Sequence, residues 1–324
     1  MIPAAMAFAA TALAALFGAG VARRLGWIDR REGALAARKP RREPVALVGG
    51  AAILAGLAAG AWTAGALGRP VPALPVPALV GAFLLGLADD RLPRGLRPAA
   101  KLAGQIGVGL LLALEADSFP ERALLASLAV VAMNAINTFD NADGAATALA
   151  ALALSTSPVT GAATAGFLPA NLGFRDGLGG RRDTRGRRLP LAYLGDSGAH
   201  VLGVLVAWHP LARPALVLPL LDLARLSASR WRRGSRPWVG DRRHLAHRLE
   251  AAGLGPATVA ATCALLGAPP LVGAWLAAGS AWGLGLGAAV TVLGFTLAVL
   301  ATPDPEAREG PDAAGPCSGA RAGR

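Results

Sequence analysis

Cysteine is almost absent from this chain: Cys263 and Cys317 are the only two among 324 residues. That excludes a disulfide framework and leaves no thiolate cluster for a metal. Lysine is equally scarce. Lys39 and Lys101 stand alone, so nearly all the basic charge is arginine. No Gly-x-x-x-x-Gly-Lys phosphate loop is present, which removes the case for ATP-driven transport. No basic residue precedes the apolar run at 2–22. No small-x-small site leads from it into a polar domain, so it reads as a retained first span rather than a secretory signal.

What the chain has in abundance is apolar sequence. Hydrophobic residues make up 54% and the mean hydropathy is +0.47. Uncharged stretches recur at 2–22, 44–68, 70–88, 102–114, 123–139, 144–174 and 251–303. Several reach the ~18–20 residues that cross a hydrocarbon core. A soluble protein would have to hide all of them in one interior. The expected fold is therefore all-α: a polytopic transmembrane helical bundle over 1–301 with about 9–11 membrane helices, some short or re-entrant. Residues 302–324, rich in Pro, Gly and charge, are expected to form a disordered cytoplasmic tail.

The net charge is +12, but its placement says more than its size. Clusters at Arg23–Arg42, at Arg91, Arg94, Arg97 and Lys101, and at Arg225–Arg248 alternate with the net-acidic "EADSFPER" (115–122). Basic span ends mark the cytoplasmic face, so these clusters are expected inside and 115–122 outside. Short basic loops between spans do not suit a nucleic-acid surface, and no nucleic-acid partner is expected. Residues 144–168 and 197–222 each hold about one span of apolar chain. Single crossings would put Arg175, Arg181, Arg182, Arg185, Arg187 and Arg188 outside. Short hairpins broken near Pro158 and near Pro210 and Pro214 keep them inside, and that reading is favoured.

Polar groups where apolar runs end mark the candidate site. In "LADDRLPRGLRPAAKLAGQ", Asp89 and Asp90 close an apolar run. Adjacent helical residues point about 100° apart, so the two carboxylates should serve different partners; the plain alternative is a solvated helix end paired with Arg91 and Arg94. In "NAINTFDNADG", Asn134, Asn137, Asp140 and Asp143 recur every third residue, and on a helix Asn137, Asp140 and Asp143 would form a short polar stripe. Asp143 is also a good N-cap for the next helix. In "LAYLGDSGAHVLG", Asp196 lies between glycines, either as a helix cap or as a lone carboxylate suited to Mg²⁺, which takes one or two protein oxygens plus water and phosphate. In "RWRRGSRPWVGDRRHLAHRLEAAGL", His244 and His247 share a face beside Arg248. With so much arginine and no cysteine nearby, an anion suits this loop better than zinc; a lipid-facing basic loop is the alternative.

Seven segments in order, "KPRREPVALVGG", "GLADDR" with "KLAGQ", "NAINTFDNADG", "GFLPAN", "YLGDSGAHVLG", "PLLDLARL" and "GDRRHLAHRL", resemble the polyprenyl-phosphate N-acetylhexosamine-1-phosphate transferases. That family includes the enzymes that begin O-antigen, teichoic-acid and arabinogalactan carriers and the MurNAc-pentapeptide translocase, and the likeness runs from about residue 20 to 260. The resemblance implies attack of a polyprenyl phosphate on the β-phosphate of a UDP-amino sugar, releasing UMP, in a multi-pass protein of the bacterial inner membrane with its site facing the cytoplasm. It implies Mg²⁺, with Mn²⁺ as the substitute, on Asn137 and Asp196. Asp89 would be base or lipid-phosphate positioner with Asp90 beside it, and Asp140 a further catalytic acid. Lys39, Asp143, Asn171, His244, His247 and Arg248 would contact substrate. A homodimer is compatible with the family. "HLAHRLEAAGL" is closer to the GlcNAc-type branch than to the translocase. Several positions depart from the family pattern: Arg41, Asn141, Ala199, His200 and Ala246. The hairpins are also short, which motivates an alternative in which the chain binds UDP-sugar or lipid without turnover.

Overall fold

The computed structural model describes residues 1–28, 45–173, 189–234, 243–276 and 281–305. Lys39, Arg41, the arginine run from 175 to 188 and the tail from 306 onward lie outside the described residues.

The chain is an all-α polytopic bundle. Helix α1 (Ile2–Arg24) packs along α2 (Gly49–Ala66). Small residues make this possible: Gly56 lies against Thr11 and the Ala7 carbonyl, and Gly60 against Ala7 and the Pro3 carbonyl. Such contacts let helix backbones approach where apolar burial offers little net gain, as in lipid. Helices α3 (Val76–Arg91), α4 (Pro98–Ala113) and α5 (Phe119–Phe139) follow in sequence. Ser118 caps α5 by accepting from the Glu121 N–H at 3.4 Å, and Glu121 sits in the first turn, at the positive end of the helix dipole.

Among the described residues, five helices are long and apolar enough to cross a membrane: α1, α2, α5, α12 (Pro256–Leu276) and α13 (Ala281–Ala301). Large apolar side chains such as Phe17, Leu84, Leu110, Leu265 and Leu293 are exposed on the bundle's flanks. A water-facing surface would not carry so many on so many helices. One contiguous cluster of buried residues runs from Ala7 to Phe295.

The two regions expected as hairpins both break at proline. The first runs as α6 (Ala145–Ala153), a 3₁₀ turn (Leu154–Thr156) and α7 (Pro158–Ala165). Its tip, at Val159, reaches Gly60 near the start of α1. The chain then comes back through the short α8 (Leu168–Asn171), so that Leu172 meets Gly144, where the hairpin began. The second runs as α9 (Gly195–Trp208), a 3₁₀ segment (Pro210–Leu216) and α10 (Val217–Arg232). Near its tip, Trp208 Nε1 donates to the Ala73 carbonyl at 3.3 Å, in the loop between α2 and α3.

Two details differ from the expectation. A two-residue parallel strand pair, Ala46–Leu47 with Ala192–Tyr193, ties the start of α2 to the turn before α9. And Asp143 does not cap α6: Gly144 holds that position with φ +78° and no side-chain cap. A side chain at 144 would strike Leu172, so the site takes glycine, which also adopts the left-handed conformation without strain.

Candidate active site

Four helix ends meet at one end of the bundle and bring Asp89, Lys101, Asn137 and Asp196 together. Asp89, in the last turn of α3, accepts from the Leu96 N–H at 2.6 Å and from Lys101 Nζ at 3.1 Å. Lys101, in the first turn of α4, also bonds Asp196 Oδ2. The other oxygen of Asp196 accepts from Asn137 Nδ2 at 2.7 Å. One ammonium thus bridges two carboxylates that would otherwise repel. The cluster stays partly open: the side chains of Asp89, Lys101 and Asp196 are 15%, 21% and 25% exposed.

Asp89 and Asp90 do different work, as their angular separation requires. Asp90 Oδ1 accepts from the Asp196 N–H at 2.9 Å and Oδ2 from the Ser197 N–H at 3.0 Å. It caps α9 from another helix, satisfying N–H groups that a helix start leaves without partners. Asp196 is therefore not the cap; it sits in the first turn with its carboxylate turned to Lys101 and Asn137. Nor do Arg91 and Arg94 neutralise the acidic pair. Arg91 lies over the Trp27 ring at 3.9 Å, and the cation on Asp89 comes from Lys101.

Glycine sets these distances. Residues 194–198 lie in a slot: Gly49 faces the Leu194 backbone at 2.6 Å and Gly50 the Ser197 carbonyl carbon at 2.8 Å, measured from where a Cβ would stand. Gly86 of α3 closes the other side directly on the backbone of Asp196 and Ser197.

Beneath the cluster runs a buried polar chain. His200 Nδ1 lies 2.6 Å from the Asp196 carbonyl, and His200 Nε2 3.0 Å from Gln105 Nε2. Gln105 Oε1 accepts from Asn134 Nδ2 at 2.7 Å. Just past the end of α5, Asp140 is half-buried and Asp143 buried. Asn141 closes α5 by donating to the Thr138 carbonyl at 2.9 Å.

A second cluster centres on Asp222, in α10 and 2% exposed at its side chain. Oδ1 accepts from Arg225 Nη2 at 2.9 Å and from the Leu245 N–H at 3.2 Å, and Oδ2 from His244 Nδ1 at 2.9 Å. Asp222 thereby caps α11 (Leu245–Ala251), the helix that carries His247 and Arg248. The His244 and His247 rings meet edge to face, 5.8 Å between centroids.

Three residues expected at the substrate are committed elsewhere. Asn171 is buried; its Oδ1 accepts from Thr147 Oγ1 at 3.0 Å and its Nδ2 donates to the Ala192 carbonyl at 3.2 Å, so it staples the first hairpin. His244 is buried against Asp222. Arg248 Nη2 donates to the Val299 carbonyl at 2.7 Å and to the Thr302 carbonyl, at the end of α13. Burial lowers the Arg248 guanidinium's affinity for its proton, and Asp304 opposes that shift. Lys39 lies outside the described residues. Sequence reasoning gave Lys101 and Asp222 no role, although the signals were there: one of only two lysines, and a lone carboxylate inside "LVLPLLDLARL".

Among the described residues no group of three or more His, Cys, Asp or Glu side chains comes together. The two carboxylates and one amide around the Lys101 ammonium fit a cation that completes its shell with water and phosphate. The ammonium itself marks a position where positive charge is accepted. No family model matches the chain, and no curated protein is significantly similar to it.

Proposed function

We propose that this chain is a Mg²⁺-dependent transferase that moves the sugar 1-phosphate of a UDP-N-acetylhexosamine, with GlcNAc the first candidate, to a polyprenyl phosphate. It would work at the cytoplasmic face of a bacterial inner membrane, at the start of an envelope glycan. The observation that carries the reading is the convergence of Asp89, Lys101, Asn137 and Asp196 from four helices at one end of an apolar bundle. That is where a lipid phosphate and a soluble nucleotide can meet. The ordered motifs that resemble the transferase family supply the reaction type.

Asp196 and Asp89, with the Asn137 amide rotated to present its oxygen, would hold the cation. Bound there, it would neutralise the diphosphate and the charge that develops on the leaving group. A lipid-phosphate oxygen bonds the β-phosphorus. The bond from that phosphorus to the oxygen bridging to the α-phosphorus breaks, and its electron pair leaves on UMP. The phosphate monoester is already largely ionised near neutral pH, with a second pKa of about 6, so the chain need not remove a proton. Asp89 positions, Lys101 offers its ammonium to a phosphate oxygen, and Asp90 fixes the α9 turn that aims Asp196.

In nanodiscs the full chain should release UMP from UDP-GlcNAc only when undecaprenyl phosphate and Mg²⁺ are both present, and EDTA should stop it. A second reading has its own support: Lys101 fills the cation position, and Asn171, His244 and Arg248 are engaged inward. A non-turnover scaffold would bind UDP-sugar or lipid in the same preparation and release no UMP with any UDP-sugar tried.

A further inference from the structure

Asn134 and His200 are left over by the proposed reaction, and they belong to one hydrogen-bonded chain. We infer that His200, with Gln105 and Asn134, is a positioning brace that fixes Asp196 against Lys101 and Asn137. The consequence for catalysis rests on the proposed function; the brace itself does not.

The chemistry allows a single arrangement. The Asp196 carbonyl can only accept, so His200 Nδ1 carries the proton. Gln105 Oε1 already accepts from Asn134 Nδ2, which turns the Gln105 amino group toward His200. His200 Nε2 must then accept, and the ring is neutral. Asn134 is anchored in turn by donating to the Val130 carbonyl at 2.8 Å. His200 and Gln105 are buried, at 0% and 1% exposure, where a polar group without a partner is costly.

The three residues stand one turn from three members of the carboxylate cluster. His200 follows Asp196 by four residues on α9, Gln105 follows Lys101 by four on α4, and Asn134 precedes Asn137 by three on α5. Residues three or four apart share a helix face. The brace therefore copies the cluster one turn deeper, linking the same three helices with neutral hydrogen bonds in place of charges. It sets rotation and depth of the helices, while the charged layer above remains free to meet a ligand. A leucine at 200 would pack but could not hold the turn.

The test uses the two lysines. Lys101 is gripped by Asp89 and Asp196, and Lys39 serves as internal reference. The full chain in nanodiscs is exposed to an amine-acylating reagent at fixed pH, and the Lys101/Lys39 labelling ratio is read by mass spectrometry. His200→Leu and Gln105→Leu should each raise the ratio about fivefold, the worth of one ordinary hydrogen bond. The double variant should add little to either single one, and His200→Asn, which keeps a donor near the Asp196 carbonyl, should fall between. A merely structural role would lower the melting temperature and leave the ratio of the folded protein unchanged. Ratios within about twofold of wild type in both folded variants would overturn the brace. If His200→Leu does not fold, Asn134→Ala, at the far end of the chain, gives the same reading. Labelling needs no turnover. A wild type that releases no UMP would count against the proposed reaction and leave the labelling result standing.

Discussion

Two charged clusters among the described residues each centre on aspartate and end in opposite states. Around Asp196, two carboxylates share one ammonium, and all three side chains keep some access to solvent. Around Asp222, one carboxylate meets an arginine, a histidine and a backbone N–H, and almost nothing of it is exposed. Asp196 accepts two side-chain hydrogen bonds and keeps acceptor capacity open to solvent; Asp222 accepts three and is almost sealed. A polar residue inside an apolar bundle can work on a ligand only if part of its bonding is still free. By that measure the Asp196 cluster is suited to chemistry and the Asp222 cluster to architecture, although both carry motifs that resemble family site segments.

Four variants can break or sharpen this contrast. Asp196→Asn should cost the most: a fall in UMP release of about 10²–10³-fold, the scale of removing one transition-state stabiliser, with little change in melting temperature. Wild-type turnover in this variant would end the metal assignment. Asp222→Ala should do the reverse. It leaves Arg225 without its buried counter-charge and His244 without its hydrogen-bond partner, a loss of about 3 kcal/mol. It should melt earlier in detergent, and the fraction still folded should bind UDP-sugar normally. If it instead kept its stability and lost binding, the basic cluster would be a site after all. Gly86→Ala forces a methyl onto the Asp196–Ser197 backbone and should cost about 1–3 kcal/mol as overpacking does. Turnover should fall with it, because the shift separates α3 from α9. Arg248→Ala should have the smallest effect, about 1 kcal/mol from lost hydrogen bonds to the end of α13. It should not change the KM for UDP-sugar, a measurement that directly challenges the substrate-contact expectation for this residue.

Much of the architecture was legible because it follows from hydropathy and proline. The uncharged stretches at 2–22 and 123–139 recur as helices within a few residues, 251–303 holds the last two long helices, and Pro158 and Pro210 mark where the hairpins turn. In the site, Asp89, Asn137 and Asp196 could be picked out as polar groups at apolar ends. Their partners could not. Lys101 reaches Asp196 across 95 residues, and no local pattern predicts which carboxylate a lysine will find. The cap on α9 was sought in its own sequence, and Asp90 supplies it from 106 residues away. Asn171 and Arg248 make a related point: type and spacing show what a side chain can bond, and only packing shows what it has already bonded. Asn134 became intelligible once His200 and Gln105 stood beside it.

The glycine slot around residues 194–198 has a consequence for the order of assembly. Its walls, Gly49, Gly50 and Gly86, belong to helices made well before the turn that fills it, and chains generally fold from the N-terminal part onward during synthesis. The walls therefore wait, with the Asp90 carboxylate lacking its backbone donors and Lys101 holding Asp89 alone, until Asp196 arrives 95 residues after Lys101. Contacts of such long range are slow to form. The charged cluster is thus completed late, and a nascent chain halted before residue 194 has the vessel of the site without its keystone.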